Sequence, residues 1–227
     1  RKAVDDFNMI QEGDRIAIGI SGGKDSLTLL YALSSLRLYY PKHFEIVAVT
    51  VDLGFDNLNL GKIIELCEQL KVEYKIVKTD IGKIVFEDRK ESNPCALCAK
   101  FRRGILHNTA KELGCNKVAL GHHLDDAIET FYMNLWREGR IGCFSPVTYL
   151  SRKDITMIRP MLLANESDVR HAVRDADLPV IKSLCPADGV TVREDTKNFV
   201  KQMSREDPAF RQKTLHALQT SGIDGWG

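Results

Sequence analysis

No stretch of the chain strings together the ~18 apolar residues that a helix needs to cross a bilayer, so a protein spanning the membrane by helices is excluded. Charge of one sign is equally scarce, since 32 Lys and Arg against 31 Asp and Glu leave a formal net charge of +1 over 227 residues. A global field able to draw in nucleic acid is therefore missing, and any such contact must come from a local patch. No internal repeat or low-complexity segment is evident. Nothing after Arg1 follows the pattern of a secretory signal, so a cytoplasmic protein without a membrane partner is expected. The six cysteines lack the spacing of a small secreted disulfide scaffold, and in a chain this long they point to a reducing compartment with metal-binding or catalytic thiols. What remains, 44% hydrophobic and 28% charged, is an ordinary globular composition. The length suits one large domain or a domain with a small appendage.

The most informative stretch is Ser21-Gly22-Gly23-Lys24-Asp25-Ser26, which follows an apolar run over 15–20 and precedes a helix-like run over 27–33. A strand, a glycine turn and a helix in succession put backbone N–H groups at the positive end of a helix dipole, where they can hold phosphate. Gly22 and Gly23 let the backbone approach an anion, Lys24 adds a point charge, and Ser21 and Ser26 add hydroxyls. The Walker pattern does not fit: relative to Gly19, Lys24 falls one place early, and Asp25 stands where Ser or Thr would hold magnesium. A dinucleotide G-x-G-x-x-G also fails. The string S-G-G-K-D-S resembles the PP-loop ATP pyrophosphatases, which as a family split ATP between the α and β phosphates and adenylate a substrate oxygen. A plain glycine turn before a surface helix is the competing reading.

The rest of the pattern predicts an α/β fold, a Rossmann-like parallel sheet with helices on both faces. Val4, Phe7 and Ile10 stand at helical spacing before the first strand, and the phosphate-loop helix is expected to run to about Tyr40, where Pro41 stops it. A strand over 45–51 ends at Asp52, which either faces the same crevice as the loop or only caps a turn. A helix over 60–70 carries Cys67 on an apolar face with Ile63, Ile64 and Leu70, and a strand over 74–77 follows. Pro94 opens a long helix, residues 117–120 form a short strand, a helix begins near Leu124, and a last strand spans 156–160. A helix capped by Asn165 covers 166–176. The tail carries Arg193, Lys197, Lys201, Arg205, Arg211 and Lys213 among acids, with Phe199 and Phe210, and reads as a solvated helical face rather than an RNA surface.

Cys95 and Cys98 form the single C-x-x-C, at the start of the long helix, with Lys100, Arg102 and Arg103 close behind. By itself this is a redox dithiol, half a zinc site or part of an iron–sulfur site. Cys185, in a turn-rich stretch ending Pro186-Ala187-Asp188-Gly189, supplies a third candidate ligand, whereas Cys115 and Cys143 suit structural roles. Three thiolates leave one position open. On zinc, His122 or His123 fills it; on a four-iron cluster, one iron is left to hold an exogenous sulfur. Gly121-His122-His123-Leu124-Asp125-Asp126 closes a strand and starts a helix, which puts carboxylates beside the crevice, one able to hold magnesium and one to cap the helix.

Taken in order, S-G-G-K-D-S, then P-C-x-L-C with Arg102, then G-H-H-x-D-D-x-x-E-T, then the late C-P-x-D-G resemble the TtcA family of tRNA 2-thiocytidine synthetases over nearly the whole chain. The sequence departs from the family where Lys182-Ser183-Leu184 precedes Cys185 without the more usual proline. It also lacks the additional C-x-x-C pairs of ribbon-bearing uridine-modifying relatives. The resemblance implies a PP-loop catalytic domain over 1–180 and a helical extension over 181–227 that carries the third cysteine. It implies ATP with Mg2+ and a [4Fe-4S] cluster on Cys95, Cys98 and Cys185. Ser21, Gly22, Gly23 and Ser26 would bind phosphate, with Asp52, Gly121 and His122 lining the nucleotide crevice. Lys24 and Arg102 would neutralise charge at the α-phosphate, and Asp25 or Asp126, the latter favoured over Asp125, would position magnesium. The partners implied are a tRNA with an unstacked anticodon-loop cytidine, a sulfur donor such as a cysteine desulfurase or free sulfide, and a second copy of the chain in a homodimer. Two alternatives stand beside this. One is a PP-loop enzyme that thiolates a tRNA uridine or amidates a small molecule, with zinc on the cysteines; the other is a non-catalytic iron–sulfur nucleotide sensor.

Overall fold

The computed structural model describes residues 1–55, 58–88, 94–182, 184–185 and 192–227. The polar stretch 89–93 and the 186–189 part of the late cysteine motif lie outside the described residues. Helix α1 (Lys2–Asp6) leads into β1 (Asp14–Gly19), followed by α2 (Lys24–Leu36), β2 (Phe44–Asp52), α3 (Gly61–Gln69) and β3 (Glu73–Lys78). A one-turn α4 (Ile81–Lys83), a π-helical turn (Ile84–Asp88) and the long α5 (Pro94–Glu112) precede β4 (Lys117–Ala119) and α6 (Leu124–Arg137). Strands β5 (Val147–Leu150) and β6 (Ile155–Ile158) come next, then α7 (Glu166–Asp175), α8 (Val192–Glu206) and α9 (Phe210–Ser221).

The strands form one sheet in the order β3-β2-β1-β4-β6-β5. Every neighbouring pair is parallel except β5 with β6. Alternation along the strands sorts their side chains between two helical layers. Ile16, Ile18, Ile46 and Ala48 pack with Leu27, Leu30 and Leu33 of α2 and with Ile63 and Cys67 of α3. Ala17, Val47, Val49 and Val118 face Leu106 and Ala110 of α5. Each large aliphatic side chain fully buried in this way stabilises the fold by about 1.5–3 kcal/mol.

Four expectations change. The sheet has an antiparallel edge strand, β5, whose four residues are too few, and too exposed at Tyr149, to give a clear apolar alternation. Helix α2 stops at Leu36 rather than near Tyr40, because the chain before Pro41 tightens into i→i+3 turns, the Leu38 N–H donating to Ser35 (3.2 Å) and the Tyr39 N–H to Leu36 (3.1 Å). On α3, Ile63 and Cys67 are buried but Ile64 is exposed, since neighbours in sequence lie about 100° apart around a helix. The tail is more than a solvated face. Val200 of α8 and Leu218 of α9 are buried, and Phe199 and Phe210 join Tyr132 and Trp136 of α6 in an aromatic cluster, with Tyr132 and Phe210 stacked at 5.3 Å. Trp226 is buried as well, its indole N–H donating to the carbonyl of Phe144 at 3.0 Å.

Candidate active site at the carboxyl ends of β1 and β4

The strand order reverses direction at β1, with β2 on one side and β4 on the other. Ligands of open α/β sheets bind at such a switch point, beyond the strands' carboxyl ends. The loop of Ser21 to Gly23 leaves β1 there, and Gly121 to His123 leaves β4 beside it. Gly121 packs against the start of α2: a Cβ there would sit 3.0 Å from the carbonyl carbon and oxygen of Asp25, a tight contact that glycine avoids.

The phosphate loop is shaped by its own hydroxyls. Ser26 Oγ accepts from the Ser21 N–H (3.2 Å) and donates to the Gly23 carbonyl (2.9 Å), while Ser21 Oγ accepts from the Gly23 N–H (3.3 Å). Gly22 adopts φ +80°, a conformation glycine reaches without strain. Gly23 is the N-cap of α2 and no side chain caps that helix, leaving its positive end for an anion. These features fit a nucleotide's phosphates.

Beyond the loop lies a network of charges. Lys24 Nζ reaches Asp25 Oδ1 at 2.7 Å and Glu166 Oε1 at 3.4 Å. Buried His123 places Nε2 at 3.5 Å from both Asp25 Oδ1 and Asp126 Oδ2, and its Nδ1 has no hydrogen-bond partner among the described residues. The two aspartates after it divide their work. Asp126 accepts from the His123 backbone N–H at 2.9 Å, the capping position of α6. Asp125, only 2% exposed, accepts from the Glu166 N–H at 2.7 Å and pairs with Arg211 of α9. His122 accepts from Arg159 Nε at 3.3 Å and lies against Phe144. Burial pushes the Arg159 guanidinium down to about 10. Asp52 sits at the carboxyl end of β2, where its carboxylate closes a turn by accepting from the Gly54 N–H at 3.0 Å.

The thiols stand at the same end of the sheet. The first turns of α5 pack Cys98 and Phe101 with Val51 near the end of β2, Leu53 just after it, and with Ile81 and Val85. Pro94 takes the first helical position, as its missing N–H allows. Cys95 is exposed and Cys98 buried, neither in a disulfide. Burial raises the Cys98 thiol, Arg102 one turn on opposes that rise, and Cys185 and Cys95 add to it, so all four groups share one electrostatic neighbourhood. Cys185 is also tied to the phosphate loop: the Ile181 N–H donates to the Gly22 carbonyl at 2.9 Å, and four further residues span at most ~14 Å. As they stand, no three His, Cys, Asp or Glu side chains among the described residues are gathered tightly enough to grip a metal ion.

Sequence reasoning named Lys24, Asp25, Asp126 and the loop glycines and serines, and the fold brings these together. It did not find Glu166, nor the pairing of Asp125 with Arg211. No local pattern marks Glu166, which is merely the first residue of a capped helix; its meeting with Lys24 arises from the packing of α7 on α2.

The PP-loop domain family is matched over residues 1–204. The chain is 41% identical over 220 residues to the tRNA-cytidine(32) 2-sulfurtransferase of Syntrophotalea carbinolica, covering 96% of this chain and 85% of that protein. It is 37% identical over 220 residues to the protein of the same name from Geobacter sulfurreducens, covering 96% and 86%. Among solved structures, the U34-tRNA thiolase NcsA from Methanococcus maripaludis with its [4Fe-4S] cluster superposes with a TM-score of 0.77 at 26% identity, covering 93% of this chain and 73% of that one. The fold alone is shared with an NH3-dependent NAD synthetase from Campylobacter jejuni, at a TM-score of 0.51 and 17% identity, covering 99% and 91%.

Proposed function

Because the chain belongs to the PP-loop family of the tRNA-cytidine(32) 2-sulfurtransferases, the TtcA family, we propose that it is a cytoplasmic enzyme that uses ATP to replace the 2-oxygen of a tRNA cytidine by sulfur. Oxide is a poor leaving group, and adenylation overcomes this. The base oxygen attacks the α-phosphorus, the bond to the β-phosphate breaks, and pyrophosphate departs. Sulfide, either free or released from the persulfide of a donor such as a cysteine desulfurase by two-electron reduction with a thiol, then adds at C2. The C2–O bond breaks and AMP leaves with the oxygen.

Ser21, Gly22, Gly23 and Ser26 seat the phosphates on the positive end of α2. Lys24 and Arg102 offset negative charge growing at the α-phosphate. Asp25 and Asp126, both beside His123, are the carboxylates that would hold Mg2+. Gly121, His122 and Asp52 line the crevice. The thiols of Cys95, Cys98 and Cys185, none of them in a disulfide and with Arg102 beside them, are a donor set that would suit a [4Fe-4S] cluster and leave one iron without a protein ligand. Such a cluster, when bound, would keep a sulfur at the crevice for the activated base. The residues after 180 serve as the helical extension that brings Cys185 to the site, and the enzyme works as a homodimer.

The observation that carries this reading is the short tether between the phosphate loop and Cys185, together with the electrostatic coupling of Cys185 to Cys98. Nucleoside mass spectrometry of tRNA from cells with and without the gene tests it. Loss of 2-thiocytidine on deletion is the expected result. An unchanged nucleoside profile, or loss of a thiouridine alone, contradicts it.

A further inference from the structure

We propose that Glu166 is a positioning residue for Lys24, holding the lysine ammonium at the edge of the phosphate loop so that it meets the incoming nucleotide already oriented. A lysine ends in a point charge on a four-carbon stem with many rotamers, so its use at one phosphate depends on what fixes it. Asp25, the other carboxylate in contact, is its neighbour in sequence on the first turn of α2 and so cannot tie the ammonium to another element. Glu166 belongs to α7, a separate element packed on α2, and pins the ammonium relative to the far wall at 3.4 Å.

Glu166 is itself held from several directions. Its Oε2 meets Arg170 at 2.9 Å, its Oε1 lies 3.7 Å from Lys197 of α8, and its backbone N–H is fixed by buried Asp125, which Arg211 anchors. The side chain is only 16% exposed. Burial by itself would raise its carboxyl, but the Arg170 hydrogen bond and the charges of Lys24, Lys197 and Arg170 outweigh burial and keep it below its usual range. Lys24, Arg170 and Lys197 surround this one carboxylate and offset its charge, so Glu166 can orient Lys24 at a reduced cost to an incoming phosphate. Nor is it needed as a cap, because Asp168 accepts the Asn165 N–H at 2.9 Å in the capping box of α7. A cavity of about 370 Å³ opens beside it between Asp125, Arg170, Lys197 and Arg211, so the carboxylate stands at the rim of open space rather than in a packed core.

The inference rests on the reading that Lys24 meets the nucleotide's phosphate, and a double-mutant cycle separates the two. Full-length holoprotein carrying Lys24→Ala, Glu166→Gln, both, or Glu166→Asp is assayed for AMP formation at saturating ATP with tRNA, for ATP affinity by equilibrium dialysis, and for thermal unfolding. E166Q is expected to slow AMP formation roughly 10-fold, with ATP affinity changed far less. It should add nothing in the K24A background, and E166D should recover part of the rate. If E166Q does not fold, E166D against K24A carries the same cycle. A K24A protein with full activity overturns both the site reading and this inference. A slow K24A protein with E166Q silent, or with its effect multiplying onto K24A, overturns the role of Glu166 alone.

Discussion

The chain uses its six cysteines in two regions and to two different ends. Cys67, Cys115 and Cys143 lie within apolar clusters under the helices. Burial pushes the thiol of Cys67 up to about 11 and that of Cys143 up to about 12, and it raises Cys115 even with Arg15 beside it. These behave as small hydrophobes. Cys95 is exposed on the first turn of α5, Cys185 is half-buried, and Cys98, though buried, has Arg102 and both other thiols in its field. What separates the two sets is that Cys95, Cys98 and Cys185 lie in one another's neighbourhood beside Arg102, whereas the other three are dispersed among separate apolar clusters. The residue type is therefore uninformative about its use, and the neighbouring charge and backbone decide it.

The largest effect expected from this contrast is in activity. Cys95→Ser, Cys98→Ser and Cys185→Ser should each take tRNA thiolation below detection, while Cys67→Ala, Cys115→Ala and Cys143→Ala keep thiolation near the parent level. Nucleoside mass spectrometry on complemented deletion cells reads both sets, and a reversed pattern would break the comparison. The core set should instead cost stability, about 1 kcal/mol each in urea unfolding. A larger stability loss is expected at the crevice from Arg211→Ala. Breaking a buried pair costs about 3–5 kcal/mol, but Arg211 is one-third exposed, so a loss of about 2 kcal/mol is expected once solvent screening is allowed for. Among these variants this is the largest stability change, and urea unfolding measures it.

The smallest effect lies in alkaline pH. A thiol whose folded value is raised adds stability that is complete below its unfolded value near 9 and is lost as pH rises toward the folded value. Thermal unfolding should therefore decline between pH 9 and about 11 to 12 through Cys67 and Cys143. A Cys67→Ala, Cys143→Ala protein should show a shallower decline over that window. An equal slope in both proteins would remove these thiols as the cause.

Much of the fold was legible because the apolar runs of β1 and β2 and the glycine turn between β1 and α2 are local signals. Pro94, Asn165 and the helix start near Leu124 were equally local, and each marks an element boundary that the structure reproduces within a residue or two. What escaped is what depends on distant partners. Asp125 and Asp126 are chemically alike and adjacent, yet only Asp125 points toward Arg211 and the start of α7. The helix start puts Asp126 where it can reach back to the His123 N–H, but no local signal gives Asp125 its distant partners. Lys197 and Arg211 looked like solvated charges in an alternating tail, because their partners Glu166 and Asp125 are supplied by other helices. The phosphate loop was readable as a string; the ion pairs that orient its lysine were not.

The central claim is that ATP cleavage and sulfur insertion act on the same base in one crevice, and counting products tests it most directly. Anaerobically purified holoprotein is mixed with tRNA, ATP, Mg2+ and sulfide, and AMP and 2-thiocytidine are quantified together over a time course. One AMP per 2-thiocytidine, with AMP formation dependent on tRNA, is the predicted result. Formation of 2-thiocytidine without AMP, or of ADP in its place, would contradict it.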